Sequence, residues 1–186
     1  MVGIIKEGGS SSSSPSSKRL SGAVLGIDKS IAGGSDPLTP PNRRERSIIW
    51  EQRYDLTDIP EALPLVLLCV DWQSEVQRGE AYSLLSIWKP LNPLQALELL
   101  GYRYGDYRVR QYAVRRMEEF TGSELGRYVL QLVQALKFEP FHRSPLAFFL
   151  VRRALASPEL VGQVLFWQLR SEMHNPFVAE RFGVLL

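Results

Sequence analysis

The chain has 186 residues, of which 45% are hydrophobic, so it can bury one sizeable core. Its formal charge is only +2, and residues 36–186 balance 18 basic with 18 acidic side chains, which argues against a dedicated nucleic-acid binder because that class needs a basic surface. A single cysteine excludes an internal disulfide framework, and no apolar stretch predicts a transmembrane helix, so we expect a reducing, cytoplasmic setting.

The first 35 residues differ in composition from the rest. They are rich in Ser and Gly, with five consecutive serines from Ser10 to Ser14. Such a segment buries little apolar surface, so we predict a disordered, flexible linker over residues 1–35 and one folded domain over residues 36–186. Within the linker, Lys18-Arg19-Leu20-Ser21 has the form of a basophilic-kinase target, which makes Ser21 a candidate phosphorylation site, although such tetrapeptides often arise by chance.

Three arginines open the first predicted helix of the domain. Arg43, Arg44 and Arg46 lie where cations oppose the positive end of the helix dipole. An anionic partner outside the chain would explain this unfavourable turn, and ordinary surface variation is the alternative. The three side chains are therefore a candidate regulatory or partner surface.

The later helices are predicted from their start signals. A short polar residue followed by Pro can cap a helix while Pro takes its first position. Starts of this kind lie at Asn92, Ser144, Ser157 and Asn175, and Asp106 and Ser123 are further N-cap candidates without a following Pro. The distance from each predicted start to the next but one is about the length of a two-helix repeat. No run of alternating apolar and polar residues indicates a sheet. We therefore predict an all-α fold, an α-solenoid of stacked antiparallel helix pairs like HEAT or armadillo repeats.

Apolar periodicity supports this fold class. One helical stripe in the segment from Ser123 onward is formed by Leu125, Tyr128, Val129, Leu132, Val133 and Leu136. The segment 158–174 is apolar on more than one side, as expected of a layer between neighbours. Cys69 lies in an apolar run and is predicted to be a buried thiol. The four tryptophans are predicted to fill gaps in the core.

The sequence contains no recognisable catalytic, cofactor or metal constellation. The segment Gly101–Gly105 is better interpreted as a turn between helices than as a phosphate-binding loop. His142 and His174 have no Cys partner and no paired spacing, so a zinc site is not predicted. Glu118 and Glu119 follow two arginines on a helix and indicate a solvated charged face.

Several longer segments resemble a known family. In chain order they are YVLQLVQALKFEP at 128–140, FLVRRAL at 149–155, VLFWQLRSEMH at 164–174 and RFGVLL at 181–186. Over roughly residues 36–186, the chain resembles the helical accessory (PIK) domain of class I phosphoinositide 3-kinase catalytic subunits. Asp36-Pro37-Leu38 and Lys137–Ser144 favour the G-protein-responsive gamma branch, whereas Ser171–Pro176 favours the others, so the branch stays open.

The resemblance implies a non-catalytic part of an enzyme. The parent would transfer the γ-phosphate of ATP to the inositol 3-hydroxyl of phosphoinositides, with ATP and Mg²⁺ bound by a kinase domain that this chain lacks. The helical domain would organise the kinase and neighbouring domains in a cytoplasmic protein recruited to the plasma membrane. A regulatory subunit is an implied partner, but Pro40, Arg43 and Arg44 stand where many relatives have acidic contact residues.

Two alternatives to this interpretation stay open. The chain could be a free-standing helical-repeat adaptor for protein–protein interactions, and the sequence beyond Leu186 would decide between the two. An independent all-helical enzyme is disfavoured by the missing acid/base constellation. The last segment ends in Val184-Leu185-Leu186 without a stop signal, so we expect the chain to be a piece of a longer protein.

Overall fold

The computed structural model of the chain describes residues 41–186. The predicted linker over residues 1–35 and the candidate phosphorylation site Ser21 lie outside the described residues. Within residues 41–186, every regular element is helical and none is a strand. The all-α prediction is therefore confirmed for this part of the chain.

Residues 41–186 contain nine α-helices and three helical elements of other types. The α-helices are α1 Arg43–Glu51, α2 Leu63–Cys69, α3 Glu75–Ile87, α4 Pro93–Ala96, α5 Tyr107–Met117, α6 Gly122–Leu136, α7 Pro145–Ala156, α8 Gln163–Ser171 and α9 Pro176–Leu185. Two 3₁₀ helices, Pro60–Ala62 and Leu97–Leu100, precede α2 and follow α4. A π-helical turn, Pro158–Gly162, lies between α7 and α8.

Four of the predicted start signals cap helices as expected. The side chains of Asn92, Asp106, Ser144 and Asn175 each accept a hydrogen bond from a backbone N–H in the first turn that follows. Because the first N–H groups of a helix have no partner within it, these bonds stabilise the start, by about 1 kcal/mol each.

The start of α6 lies two residues earlier than predicted. Thr121, not Ser123, is the N-cap, and its hydroxyl accepts from the N–H of Glu124 at 3.3 Å. The carboxylate of Glu124 in turn accepts from the N–H of Thr121 at 2.9 Å. This reciprocal pair requires a Glu three residues after the cap, a spacing that Thr121 has and Ser123 lacks.

The segment after Ser157 also differs from the prediction. Ser157 makes no side-chain capping bond, and its carbonyl oxygen accepts from the N–H groups of Val161 at 2.9 Å and Gly162 at 3.1 Å. The predicted continuous helix over 158–174 is therefore a π-helical turn followed by α8. The turn packs against α6, α7 and α8.

One buried apolar cluster extends through the described residues from Ile49 to Phe182. Contacts join α1 to α2, α4 to α5 and α6 to α7, and they also join α3 to α5, α5 to α7 and α6 to α8. The predicted stripe of α6 is buried apart from Tyr128, which stacks on Phe120 with 5.3 Å between ring centroids. Burying each such aliphatic side chain contributes about 1.5–3 kcal/mol.

The tryptophan prediction is correct for Trp88 and wrong for Trp167. Trp88 is buried, and its indole N–H donates to the Ile59 carbonyl at 3.0 Å. Trp167 is 61% exposed, because the buried side of α8 is formed by Leu165 and Leu169. Its ring contacts that of Phe166 edge to face, with 5.2 Å between centroids.

Candidate functional site

The arginines predicted as a partner surface lie on the first turn of α1. Asn42 caps this helix, accepting from the N–H groups of Arg44 and Glu45 at 3.0 Å each. The Glu45 carboxylate accepts from the N–H of Asn42 at 2.8 Å, which completes a capping box. The N–H groups of Asn42, Arg44 and Glu45 are therefore satisfied by the chain itself, and what this end presents to the outside is the arginine side chains.

We call Arg43, Arg44 and Arg46 the arginine patch. All three are exposed, and Arg46 donates through Nε to the Pro41 carbonyl at 3.1 Å. None of the ion pairs within residues 41–186 includes a member of the patch. Their positive charges are thus uncompensated by close acidic partners in the described part of the chain.

A cavity of about 360 Å³, which we call the α1 groove, lies beside two of these arginines. One wall is a single face of α1, because its residues recur at helical spacing. The lining comprises Arg43, Arg46, Ser47 and Trp50 from α1, Cys69 from the end of α2, Val70 and Asp71 from the segment that follows, and Gln77 from α3. Arg44 does not line the groove.

The wall opposite α1 is fixed by hydrogen bonds. The Asp71 N–H donates to Oε1 of Gln77 at 2.8 Å, and Oδ1 of Asp71 accepts from the N–H of Gln73 at 3.1 Å. Burial raises the pKa of the Cys69 thiol to about 11, so the thiol is protonated near neutral pH and is a poor nucleophile. The groove is therefore suited to binding and not to covalent chemistry.

Trp50, one of the groove residues, stacks against the guanidinium of Arg53. The guanidinium of Arg53 lies 4.6 Å from the centroid of the Trp50 ring and 4.7 Å from that of Tyr54. It also pairs with Glu80, with 2.8 Å between Nη2 and Oε2. Stacking and the ion pair hold the indole in place, so the apolar part of the groove is preformed.

A second arginine site is buried and was not predicted from the sequence. Arg110 of α5 and Glu139, which follows α6, have side chains only 1% and 2% exposed, and Nε and Nη2 of Arg110 both lie 2.9 Å from Oε1 of Glu139. Arg110 also donates to the carbonyls of Tyr104 at 3.0 Å, Ala135 at 3.2 Å and Gly101 at 3.3 Å. The pair joins the loop before α5 to the end of α6.

A sequence signal exists for one member of this pair, Arg110. Arg110 lies three, four and seven residues before Ala113, Val114 and Met117, which are buried on one face of α5. A charged residue within such an apolar stripe indicates a buried, paired charge, because an unpaired one is too costly to bury. Its partner Glu139 carries no comparable signal.

The remaining predicted positions do not gather into a site. His142 and His174 are exposed, and Nδ1 of His174 lies 2.8 Å from the Ser171 carbonyl. Glu118 pairs with Arg152 and Glu119 with Arg116. Among residues 41–186, no group of three or more His, Cys, Asp or Glu is placed to hold a metal ion. The described helices also include none that is both long and apolar enough to cross a membrane.

A third surface feature is the apolar exterior of the last three helices. Phe148 and Leu155, seven residues apart on α7, are exposed, as are Phe177 and Val184, seven apart on α9. Phe177 reaches 94% exposure. Residues seven apart lie on the same face of a helix, so α7 and α9 each present an apolar stripe outward. Such surfaces mark sites of contact with other proteins or domains.

Comparisons with known proteins agree on one family. The family model described as "Phosphoinositide 3-kinase family, accessory domain (PIK domain)" matches residues 30–186. The chain is 42% identical over 151 residues to phosphatidylinositol 3-kinase 3 of Dictyostelium discoideum. This match covers 81% of the chain and 9% of that protein. It is 38% identical over 152 residues to phosphatidylinositol 3-kinase 2 of the same organism, covering 82% of this chain and 8% of the relative. The chain thus spans about a tenth of the length of the curated relatives it matches.

Proposed function

Because the chain belongs to the phosphoinositide 3-kinase family as its accessory (PIK) domain, we propose that it is the helical scaffold of a class I phosphatidylinositol 3-kinase catalytic subunit. In this role it would organise the kinase and neighbouring domains of its parent and offer a regulatory surface at the arginine patch. The observation that carries the scaffold role is the set of apolar side chains exposed on α7, α8 and α9. These helices also contribute to the single buried cluster, so the exposed side chains are additional to a complete core.

The proposed architecture of the scaffold is a solenoid of stacked antiparallel helix pairs. Contacts between elements two apart, α3 with α5, α5 with α7 and α6 with α8, support it, because each pair in a solenoid covers the apolar face of its neighbour. A stack of this kind is stiff along its length, which suits a part that holds other domains at fixed positions.

The apolar exterior fits a surface covered by other domains. Trp167 and Phe177 together expose large aromatic area, and aromatic residues are enriched at the centres of protein interfaces. In the parent, these side chains would pack against neighbouring domains.

The proposed parent carries the chemistry elsewhere. It would phosphorylate the inositol 3-hydroxyl using ATP and Mg²⁺ bound by its kinase domain, and it would be a cytoplasmic protein recruited to the plasma membrane. The buried Arg110–Glu139 pair is satisfied by the chain's own groups and serves structure. We therefore expect the isolated chain to show no lipid-kinase turnover.

A chimera tests the scaffold role. The 151-residue segment of phosphatidylinositol 3-kinase 3 that aligns with this chain would be replaced by the chain's own residues, and lipid-kinase activity and expression would be measured. We expect the chimera to keep activity and the variant Trp167→Asp, Phe177→Asp to lose most of it. The matched control, Arg115→Glu, changes an exposed side chain on α5 and should leave activity unchanged.

The same experiment distinguishes the scaffold role from that of a free-standing adaptor. The exposed aromatic side chains are compatible with both roles. A well-expressed chimera that is inactive, or one whose activity ignores the aromatic substitutions, contradicts the scaffold role. An adaptor would instead use these side chains to bind a separate protein, and its apolar exterior would not affect a kinase fused to it.

A further inference from the structure

The α1 groove combines charge with a preformed apolar wall. Arg43 and Arg46 are three residues apart on α1, so their side chains leave the helix from the same face about one turn apart. Neither has an ion-pair partner among the described residues, whereas the exposed Arg152 pairs with Glu118, and the less exposed Arg53 pairs with Glu80. The groove therefore holds two guanidinium groups without an ion-pair partner in the described part of the chain, and only the Nε of Arg46 is engaged, by the Pro41 carbonyl.

The charge of the lining indicates the charge of the occupant. Arg43 and Arg46 contribute two positive charges, and Asp71 contributes one negative charge, so the lining has a net charge of +1. One carboxylate neutralises this lining. A phosphate group, with close to two negative charges, would exceed it and would meet the Asp71 carboxylate on the opposite wall.

The shape of the groove indicates the class of partner. A cavity of about 360 Å³ accepts one or two side chains, whereas a flat bilayer surface cannot enter a concavity of this size. Val70 and the ring of Trp50 provide apolar lining next to the arginines. An extended peptide can place a carboxylate on the arginines and an adjacent aliphatic side chain on this lining.

We propose that the α1 groove binds an acidic segment of a protein partner, with one Asp or Glu carboxylate between the guanidinium groups of Arg43 and Arg46 and a neighbouring aliphatic side chain against Val70 and Trp50. This site deepens the regulatory role in the proposed function and rests on it for its biological meaning. Its test uses the isolated chain, so its outcome is separate from the activity of the chimera.

The test is a binding titration with two adjacent arginines as matched variants. The probe is a fluorescein-labelled peptide of alternating Asp, Leu and Glu, and the control peptide replaces every Asp and Glu with Asn and Gln. The full 186-residue chain is compared with Arg43→Glu and Arg44→Glu. Both substitutions alter the same helical turn and the net charge equally, but only Arg43 lines the groove.

We expect the acidic peptide to bind saturably and the amide peptide to bind at least about tenfold more weakly. Arg43→Glu should weaken binding about tenfold or more, and Arg44→Glu by only about twofold, because a charge outside the groove acts through screened solvent. Thermal melts of both variants establish that they are folded. Equal losses in the two variants, or no saturable binding of the acidic peptide, overturn the proposal.

Two further arms distinguish other occupants. Vesicles of equal parts phosphatidylcholine and phosphatidylserine test a membrane, and sedimentation tests a second copy of the chain. Arg43-dependent vesicle binding without competition by the peptide, or Arg43-dependent self-association that the peptide does not disrupt, overturns the proposal. The proposal is supported if neither the vesicles nor inorganic phosphate displace the bound peptide.

Discussion

The two arginine sites of this chain use the same side chain in opposite ways. Arg110 is 1% exposed and directs its donors to Glu139 and to three backbone carbonyls, so its full capacity is used within the fold. Arg43 and Arg44 are exposed on a helix start whose amides are already capped. The difference shows that the position of an arginine relative to an apolar stripe decides its role, because burial forces internal pairing and exposure leaves the charge open to outside partners.

The largest expected effect is at the buried site. Arg110→Met should lower the free energy of unfolding by about 3–5 kcal/mol, because it leaves the Glu139 carboxylate buried without its partner. Urea denaturation followed by circular dichroism measures this change. Arg115→Met, on the exposed side of the same helix, should change stability by less than about 0.5 kcal/mol.

The double variant Arg110→Met, Glu139→Met sharpens this prediction. Removing both charges leaves no unpaired buried ion, so the double variant should be more stable than Arg110→Met alone. If the single variant instead lost less than about 1 kcal/mol, the pair would not hold the loop before α5 and the end of α6 together, and the contrast between the two arginine sites would fail.

A second large effect is expected where α6 meets the π-helical turn. A Cβ built on Gly126 would lie 2.8 Å from the Leu160 carbonyl oxygen, so Gly126→Ala should force the two elements apart and cost about 1–3 kcal/mol. In Gly79→Ala on α3, the new Cβ meets nothing within 4 Å. That control should stabilise the protein by about 0.5–1 kcal/mol, because Ala favours the helix.

Opposite signs for the two substitutions are the test. Thermal melts of Gly126→Ala and Gly79→Ala, made in parallel, should move in opposite directions. If both variants gained stability, the approach of α6 to the Leu160 carbonyl would be looser than the structure shows.

The sequence was sufficient where a local rule decides the structure. The caps at Asn92 and Asp106 depend on side chains within a few residues, and a local apolar run indicated the burial of Cys69; these predictions are confirmed. The cap of α6 was misplaced at Ser123 although the local spacing of Thr121 and Glu124 was available. Trp167 could not be placed, because α8 is apolar on several sides and only tertiary packing selects the buried one.

The candidate sites were predictable in part. The arginine patch lies at the start of the first helix of the domain, the position that the sequence predicted for its residues. The groove beside it depends on how α2 and α3 pack against α1. The Arg110–Glu139 pair joins residues 29 positions apart, a contact that no local pattern specifies. Sequence periodicity therefore locates elements, whereas sites built between elements need the structure.

A smaller effect is expected from the ion pair that joins the end of α6 to the end of α8. Lys137, together with Gln134, holds the pKa of Glu172 below its ordinary value of 4.5, and Nζ of Lys137 lies 2.9 Å from Oε2 of Glu172. A lowered carboxylate pKa adds stability that is present above the ordinary value and is lost as the pH falls through the folded-state value.

Glu172→Gln should therefore cost about 0.5–1 kcal/mol at pH 7 and much less well below pH 4.5. Urea denaturation at several pH values measures the difference. The control is Glu180→Gln on α9, which is exposed and has no ion pair within residues 41–186, so its effect should be small at every pH. An effect of Glu172→Gln that did not shrink in acid would assign its cost to packing and not to charge.

The smallest expected effect has the opposite sign and lies in the arginine patch. Arg44→Glu should raise the free energy of unfolding by a few tenths of a kcal/mol, because an anion near the start of α1 is favoured by the helix dipole that the arginine opposes. Arg115→Glu is the matched control, since it makes the same change in the last turn of α5, where an anion is unfavourable and stability should fall. Both effects should shrink in high salt, which screens exposed charges. If Arg44→Glu and Arg115→Glu shifted the urea midpoint in the same direction, the arginines of α1 would carry no local cost, and an outside anionic partner would no longer be needed to explain their presence.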